Sequence, residues 1–321
     1  MDVPNHRSSH TQPTPRGGGM AIVLSFFMGV VALYLLGGVS LNNSVSILGA
    51  GLLIAGVGFI DDHIALAPKW RLLVQIVAAL FGLYWLGGMP WISFTVWTLP
   101  SASVLGGMLA LFYIVWMINL YNFMDGIDGL AAIEAITACC FAAFIYWLQA
   151  QFAMMLLPLA LVACVAGFLC WNFPPARIFM GDGGSGFLGA VLAIFSIQAA
   201  WVDQHYFWMW LILLGVFIVD ATVTLLYRAA RGQKIHEAHC CHAYQQAASY
   251  FESHLCVITA VFLINACWLL PIGMLVGLGY VNGLLGLCLA YLPLIFLVIF
   301  FRAGRTALIL DCKKERIPSE K

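Results

Sequence analysis

Long runs of apolar residues alternate with short polar connections along the whole chain. The runs are continuously apolar, without the alternation that marks a strand of a transmembrane barrel, so the pattern indicates helices. Most runs have the roughly 20 residues that a helix needs to cross about 30 Å of hydrocarbon. The pattern predicts about ten membrane spans, at residues 20–39, 44–60, 72–87, 103–121, 130–148, 153–170, 187–201, 206–226, 255–278 and 284–301.

The polar connections are too short for a separate soluble domain, so residues 1–321 are predicted to form one integral-membrane domain of the all-α class. Composition agrees, because 63% of the 321 residues are hydrophobic and only 9% are charged. Such values exclude an ordinary soluble globular protein. The 14 Lys and Arg residues balance the 14 Asp and Glu residues, so no basic surface indicates a nucleic-acid partner.

With ten spans, all 14 Lys and Arg residues fall on one side of the membrane. The positive-inside rule places that side, together with both termini, in the cytoplasm. If the count of ten spans were wrong by one, the Lys and Arg residues would be assigned to both sides of the membrane. The ten cysteines lie within spans or on the same side, and we therefore expect reduced thiols.

Acidic residues also gather at this side. Asp61 and Asp62 end the second predicted span, Asp125 and Asp128 follow the fourth, and Asp182 follows the sixth. Ionisable groups are costly near lipid and mark functional sites by default. We therefore predict a site at the membrane surface, where a water-soluble substrate can meet a lipid headgroup.

The same loops carry residues suited to phosphate chemistry. The Gly-rich stretch of RIFMGDGGSGFLG (177–189) is predicted to lie just before a helix and to expose N–H groups for oxyanions. The segment NLYNFMDGIDGL (119–130) combines carboxylates with an amide, which is the hard-oxygen ligation that Mg²⁺ accepts. The histidines of HEAHCCHAYQ (236–245) add donors for phosphate.

Each feature also has a structural interpretation. The glycines could only let helices pack closely, and the two aspartates that end the second span could only neutralise Lys69 and Arg71. Glu134 and Asp220 could be helix-end residues. Zinc is disfavoured at the histidine run because adjacent Cys240 and Cys241 lack the usual ligand spacing. These interpretations do not explain why four such loops share one side.

Five segments together resemble a known family. In order along the chain they are PNHRSSHTQPTPRGGG (4–19), GFIDDHIALAPKWRLLVQ (58–75), NLYNFMDGIDGLAA (119–132), WNFPPARIFMGDGGSGFLG (171–189) and HEAHCCHAYQ (236–245). In these five segments the chain resembles the polyprenyl-phosphate N-acetylhexosamine-1-phosphate transferases of glycosyltransferase family 4. The first and last segments most resemble the branch that initiates O-antigen synthesis.

The resemblance implies a multi-pass enzyme of the bacterial inner membrane with its active site on the cytoplasmic face. The implied reaction uses Mg²⁺, or Mn²⁺ in its place, and transfers a sugar 1-phosphate from a UDP-N-acetylhexosamine to undecaprenyl phosphate. Its products are undecaprenyl diphosphate sugar and UMP, for O-antigen, lipopolysaccharide or a related cell-envelope glycan. The sugar stays open between N-acetylglucosamine, N-acetylgalactosamine and a 6-deoxy sugar such as N-acetylfucosamine or N-acetylquinovosamine. A homodimer is compatible with the resemblance.

The resemblance also assigns roles to residues by their place in the motifs. The catalytic pair is Asp61 and Asp62, one of which would deprotonate or orient the lipid phosphate. The metal site is Asp182 with Asn122. The nucleotide and sugar positions are Asp125, Asp128, Asn172 and Phe179, the last stacked on uracil. The phosphate-binding positions are Lys69, Arg71, His239 and His242.

One departure and two rival classes remain at this stage. Relatives have a further span before PNHRSSH, so the family's first helix is expected to be missing here. A secondary transporter would place its acids near the bilayer midplane on broken helices, whereas the predicted spans have none there. A CDP-alcohol phosphotransferase would need an arginine that DGIDGLAA lacks.

Overall fold

The computed structural model describes residues 13–94, 97–233 and 241–304, and these ranges are almost entirely helical. The helices are α1 (Gly19–Leu35), α2 (Leu41–His63), α3 (Pro68–Leu86), α4 (Val104–Met124), α5 (Leu130–Leu148), α6 (Phe152–Asn172), α7 (Asp182–Ala200), α8 (Gln204–Leu213), α9 (Gly215–Ala230), α10 (Ala243–Phe251), α11 (His254–Ile264), α12 (Leu270–Gly277) and α13 (Gly283–Phe300). A π-helical turn, Asn265–Leu269, joins α11 to α12.

The helices confirm the all-α membrane fold. Eight helical segments are long and apolar enough to cross a membrane, counting α11 through α12 as one, and α1 is a shorter apolar helix of 17 residues. The predicted span at 206–226 is not one straight helix, because α8 and α9 meet at a bend of 69°. Each predicted span therefore corresponds to a helix or to a bent pair of helices.

Helix α7 runs through the centre of the bundle. All its residues are buried except Asp182 and Gln198, which lie near its two ends. A helix that is apolar on every side belongs in the interior of a bundle. It begins at Asp182, five residues before the predicted span, so the Gly-rich stretch forms its first turns and not a loop in front of it.

Glycines allow three helices to meet at the start of α7. A Cβ atom on Gly58 of α2 would lie 2.5 Å from the Cα of Gly183, and one on Gly19 of α1 would lie 2.4 Å from the Cα of Gly184. No residue with a side chain fits at such separations. The close approach brings the last turn of α2, with its two aspartates, directly to the N-terminus of α7.

A short β-hairpin lies at the opposite end of the bundle, between α3 and α4. Its strands, β1 (Ile92–Ser93) and β2 (Thr98–Leu99), are antiparallel, with Ile92 opposite Leu99. The Ser93 N–H donates to Oε1 of Gln204 at 2.6 Å, which ties the hairpin to α8. Two-residue strands are too short to show an alternating pattern, and the sequence did not predict them.

Glu134 lies fully buried inside the bundle, one turn into α5. The Nδ2 group of Asn265 donates to Glu134 Oε2 at 2.7 Å and to Thr137 Oγ1 at 2.8 Å, where the π-helical turn begins. Glu134 therefore joins α5 to the α11–α12 span and is more than a helix-end residue.

Candidate active site

A cavity of about 230 Å³ opens beside the start of α7. It lies between the last turn of α2, the first turns of α3 and the last turns of α4. Four of the residues predicted from the sequence line it together: Asp61, Arg71, Asn122 and Asp182. Polar side chains from four separate helices therefore converge on one enclosed volume.

Asp61 ends α2 with both carboxylate oxygens engaged. One oxygen accepts the N–H of Leu66 at 2.7 Å, which folds the loop between α2 and α3 back on itself. The other accepts from Nη1 of Arg71 at 2.7 Å. The Asp61 side chain is only 9% exposed, and this pairing holds the Arg71 guanidinium at the cavity wall.

Asp62 caps the N-terminus of α7. Its Oδ1 accepts the N–H of Asp182 at 3.0 Å and Nε of Arg16 at 3.0 Å, and its Oδ2 accepts the N–H of Gly183 at 3.3 Å. A carboxylate at a helix N-terminus is stabilised by the free N–H groups and by the helix dipole. The N–H groups predicted to bind a phosphate are therefore used by Asp62.

Asp182 is the first residue of α7 and is surrounded by polar groups. It pairs with Nη2 of Arg16, lies 3.9 Å from Nη1 of Arg71, and its carboxylate bonds to the Asn122 side chain. Its side chain keeps 20% of its surface exposed, more than Asp61 or Asp62. Asp182 is thus the carboxylate of this group that a ligand in the cavity can best reach.

Burial raises the pKa of the Asp125 carboxyl well above its ordinary value, and the neighbouring Asp182 carboxylate raises it further. Asp125 follows the end of α4 in a loop and not in a helix. The smaller part of the increase comes from the negative charge of neighbouring carboxylates. A bound cation would reverse this effect.

The donor set fits one Mg²⁺ ion. The three carboxylates Asp61, Asp62 and Asp182 outnumber the guanidinium groups of Arg16 and Arg71, with which they pair, by one. Within the described ranges no three His, Cys, Asp or Glu side chains form a ready metal cage. Mg²⁺ commonly binds through one or two carboxylates and completes its shell with water and substrate phosphates. Asp182 and Asn122 would hold the ion.

A second group of predicted residues ties the neighbouring loops together. Asn172, 4% exposed, accepts the N–H of Gly129 at 2.9 Å and donates to the carbonyl of Ile178 at 2.8 Å. Asp128 accepts the N–H of Ala176 at 3.1 Å and lies 3.3 Å from Nδ1 of His254. These side chains therefore shape the rim of the site through the backbone.

Phe179 lies in the loop before α7, paired through its backbone with the segment that precedes α1. Its N–H donates to the carbonyl of Pro15 at 2.8 Å, and its carbonyl accepts from Gly17 and Gly18 at 3.1 and 2.9 Å. The ring is half-buried. This pairing brings Arg16 to the start of α7.

Known proteins share extended sequence similarity with this chain. The family model for glycosyl transferase family 4 matches residues 44–200. A Bacillus subtilis (strain 168) protein named "Probable undecaprenyl-phosphate N-acetylglucosaminyl 1-phosphate transferase" is 30% identical over 271 residues, which cover 83% of this chain and 74% of the relative. The chain belongs to glycosyl transferase family 4.

Two further relatives are phospho-N-acetylmuramoyl-pentapeptide-transferases. The protein from Streptococcus pyogenes serotype M12 (strain MGAS2096) is 31% identical over 243 residues, 70% of this chain and 69% of the relative. The protein from Bacillus licheniformis (strain ATCC 14580) is 29% identical over 233 residues, 66% of this chain and 68% of the relative. Every residue that lines the cavity beside α7 falls within the range that the family model matches.

Two of the predicted phosphate-binding residues of this family 4 transferase, Lys69 and His242, do not line the cavity. Lys69 is exposed, and its Nζ lies 5.7 Å from the centroid of the Trp70 ring. His242 is buried, 3.3 Å from Asp220 Oδ1, and its ring stacks on Phe123, which lines the cavity. His239 lies outside the described residues.

Asp220 holds the segment that begins at His242 in place. It accepts the N–H groups of Ala243 and Tyr244, both at 3.0 Å, and thereby holds the start of α10 against α9. The Tyr244 hydroxyl then donates to the carbonyl of Phe123 at 2.9 Å. Asp220 is therefore an anchor of the site's outer wall.

The sequence analysis missed three polar residues of the site. Arg16 bridges Asp62 and Asp182. In the sequence it counted only as one of the cations that indicate the membrane orientation. Gln75 and Asn119 line the cavity and exchange hydrogen bonds of 2.7 and 3.3 Å between α3 and α4. A signal existed for both amides, because polar residues inside apolar spans are costly and usually functional.

Proposed function

We propose that this family 4 transferase moves a sugar 1-phosphate from a UDP-N-acetylhexosamine to undecaprenyl phosphate, with release of UMP. The observation that carries the proposal is the cavity at the start of α7, where the carboxylates of Asp61 and Asp182, the Arg71 guanidinium and the Asn122 amide meet inside a membrane bundle. The names of the relatives support the same chemistry, because the Bacillus subtilis relative is named for undecaprenyl phosphate and a sugar 1-phosphate.

The chain's own groups suit a reaction that depends on positioning and charge. Arg71, held by Asp61, presents a guanidinium group at the cavity wall for an oxyanion, and Asn122 with Asp182 offers oxygen ligands. When Mg²⁺ is bound, it supplies charge neutralisation at the diphosphate oxygens. Because phosphoryl transfer needs little covalent help from protein, this arrangement accounts for the catalytic step.

Asp62 serves this reaction as a positioning residue in our proposal. Both its oxygens accept hydrogen bonds from α7 and from Arg16, which fix the carboxylate between them. The acceptor does not require a base, since a phosphate monoester with a second pKa near 6 is already largely dianionic at neutral pH. Asp62 thereby keeps Asp182 at the cavity mouth.

We also propose the cellular setting. The end of the bundle that holds the site faces the cytoplasm, and the protein lies in the bacterial inner membrane; the Lys and Arg residues gathered at that end support this orientation. The glycan is O-antigen, lipopolysaccharide or a related cell-envelope polymer, and the hexosamine is N-acetylglucosamine or a 6-deoxy relative. A homodimer is part of this proposal.

The test is release of UMP from a panel of UDP-N-acetylhexosamines by the purified full chain with undecaprenyl phosphate and Mg²⁺. Release should require both the lipid and the metal, and the donor that gives it identifies the sugar. Asp182→Asn should lower the rate by about 10³-fold, since it removes a ligand charge that acts in the transition state.

The matched control is Asp203→Asn. Asp203 caps α8 at the opposite end of the bundle, where its Oδ1 accepts the N–H of His205 at 2.8 Å. Asparagine caps a helix as well as aspartate does, so this variant should keep the wild-type rate. Lipid-independent release, or equal losses in both variants, would contradict the proposed reaction.

A further inference from the structure

A second cavity, of about 380 Å³, lies at the end of the bundle away from the candidate active site. It is enclosed by the loop between α1 and α2 and by the ends of α3, α5, α6, α7 and α8 at that side. Gln198, which lines it, follows Asp182 by 16 residues of the same helix, a distance of about 24 Å. This cavity is therefore separate from the transferase site, and its volume falls in the range of small-molecule pockets, about 300–1,000 Å³.

Aromatic rings form much of the wall. Three indoles, Trp85, Trp201 and Trp210, line the cavity together with the Tyr146 ring. Trp210 and Tyr146 are fully buried in the bundle. Trp201 is 45% exposed and lies just after the end of α7, so it marks the mouth. Such flat apolar faces pack against flat ligands with an apolar side.

Neutral polar groups complete the wall. The side chains of Asn42, Asn43 and Gln198 line the cavity, and none of these three amides makes a hydrogen bond in the part of the chain that the structure describes. The Tyr146 hydroxyl accepts from Trp210 Nε1 at 2.7 Å, and its own proton has no acceptor among the described residues. Asn42 is exposed, and Asn43 and Gln198 are half-buried, so these amides are open to a ligand that enters from this end of the bundle.

Proline adds one more acceptor. Pro158 lies inside α6 and has no N–H to give to the carbonyl of Met154, one turn earlier. Both residues line the cavity. Backbone groups freed in this way within a membrane helix are tolerated where they border a polar cavity.

Charge is absent from the lining. Of the lining residues that the structure describes, none is Asp, Glu, Lys, Arg or His. A phosphate, a nucleotide or an amine would leave water for a site with no counter-charge, which is costly. Hydroxyl and acetamido groups, by contrast, match amides and a phenol in both donors and acceptors.

We infer that this cavity is a binding site for a neutral saccharide of one or two units, reached from the face of the membrane opposite the transferase site. The indoles stack against the sugar ring, and Gln198, Asn42 and Asn43 bond its hydroxyl or acetamido groups. The inference does not depend on the proposed reaction, since it uses none of the active-site residues.

Saturation-transfer NMR on the full chain in lipid nanodiscs tests it. The probes are N-acetylglucosamine and N,N′-diacetylchitobiose, with glucosamine and glucuronate as charged counterparts. We expect saturable binding of the neutral probes that UMP does not displace and that Asp182→Asn leaves unchanged. The charged sugars should bind at least about tenfold more weakly, because the cavity offers no counter-ion.

Two variants make the test specific to the cavity. Trp201→Ala removes a ring at the mouth and should weaken binding about tenfold. Gln198→Leu keeps the volume of a side chain that is bonded to nothing in the described structure, so it should fold normally and weaken binding about fivefold. Trp171→Ala, which removes a 58% exposed indole of α6 at the other end, is the matched control.

Three results would overturn the inference. They are no saturation by either neutral probe, binding that persists unchanged in both cavity variants, and a loss in Trp171→Ala as large as that in Trp201→Ala. The first would show that the cavity holds only water or lipid headgroups.

Discussion

The two ends of α7 border cavities of opposite chemistry. At its start, Asp182 lies among the carboxylates of Asp61 and Asp62 and the guanidinium groups of Arg16 and Arg71. At its end, Gln198 lies among indoles and amides with no ionisable side chain among the described lining residues. Between them the helix is buried on every side. One buried helix therefore separates a group of ionisable side chains from a cavity lined by neutral ones.

The difference shows which sequence features indicate function in a membrane bundle. Charged side chains in low-dielectric surroundings are costly, so they are found mainly where a function requires them, and they can be recognised in the sequence. Neutral polar groups cost less and are common in helix packing. The second cavity is therefore visible only when the fold brings its amides and rings together.

The largest effect that would sharpen this comparison is at Asp62. Asp62→Asn should lower the rate of UMP release by about 10²- to 10³-fold. The amide cannot accept bonds on both sides as the carboxylate does, so Arg16 and the α7 terminus shift and Asp182 moves with them.

Because this loss comes from positioning, it should be the same at every pH from about 6 to 9 when the kcat/KM profiles of variant and wild type are compared. A general base would give a different profile. The deficit would then shrink at high pH, where the substrate no longer needs help to ionise. If the kcat/KM profiles of Asp62→Asn and wild type converge above about pH 8, the positioning role is wrong.

Mg²⁺ should stabilise the folded chain by binding at the charged start of α7. At about 100 times its dissociation constant, a ligand that binds only the folded state adds about 2.7 kcal/mol. We expect Mg²⁺ to raise the Tm of the wild-type chain, and to raise it by the same amount in Asp203→Asn. In Asp182→Asn the increase should disappear.

A Tm that rises equally in Asp182→Asn would place the ion elsewhere. The measurement needs no substrate, so it remains informative if the preparation shows no transfer. Chelation of the metal should return the wild-type Tm to the starting value.

Helix packing at the start of α7 should show an effect of intermediate size. A Cβ on Gly58 would lie 2.5 Å from backbone atoms of Gly183, whereas a Cβ on Gly56 would meet nothing within 4 Å. Gly58→Ala should therefore cost about 1–3 kcal/mol through overpacking, with a lower Tm and a reduced rate.

Gly56→Ala is its matched control on the same helix and should cost nothing, since alanine favours the helix over glycine. Thermal unfolding of the two variants in the same detergent gives the comparison. Equal Tm values would show that α2 and α7 are not in backbone contact there.

The spans could be predicted from the sequence because the length of an apolar run is a local property. The break between α8 and α9 could not, since the apolar run continues across it without interruption. The hairpin between α3 and α4 is too short to leave a periodic signal. The Gly-rich stretch was expected in a loop because glycine disfavours helices in water. In this bundle it lies in α7, where small residues allow contact.

The site could be predicted in part. Motif resemblance and the shared membrane side indicated Asp61, Asp182, Asn122 and Arg71, which the structure brings to one cavity. The bridge made by Arg16 joins residues 166 positions apart. It exists only because glycines bring α1 and α7 together, and such a long-range contact leaves no local pattern in the sequence.

The smallest expected effect separates two neighbouring cations of the α2–α3 region. The motif resemblance assigned phosphate binding to both Lys69 and Arg71, but only Arg71 lines the cavity and is held there by Asp61. Lys69 is exposed and contacts the face of Trp70. An exposed charge in water is largely screened and contributes about 0–1 kcal/mol. Lys69→Gln should therefore change kcat/KM less than about threefold.

Arg71→Gln is the paired variant, because it removes the same charge two residues along the chain. It also leaves Asp61 without its partner, so kcat/KM should fall about 30-fold or more. The ratio between the two variants is the informative quantity, since both have the same net charge. If Lys69→Gln fell as far as Arg71→Gln, phosphate binding would extend outside the cavity, and the charged end of α7 would be a broad surface instead of an enclosed site.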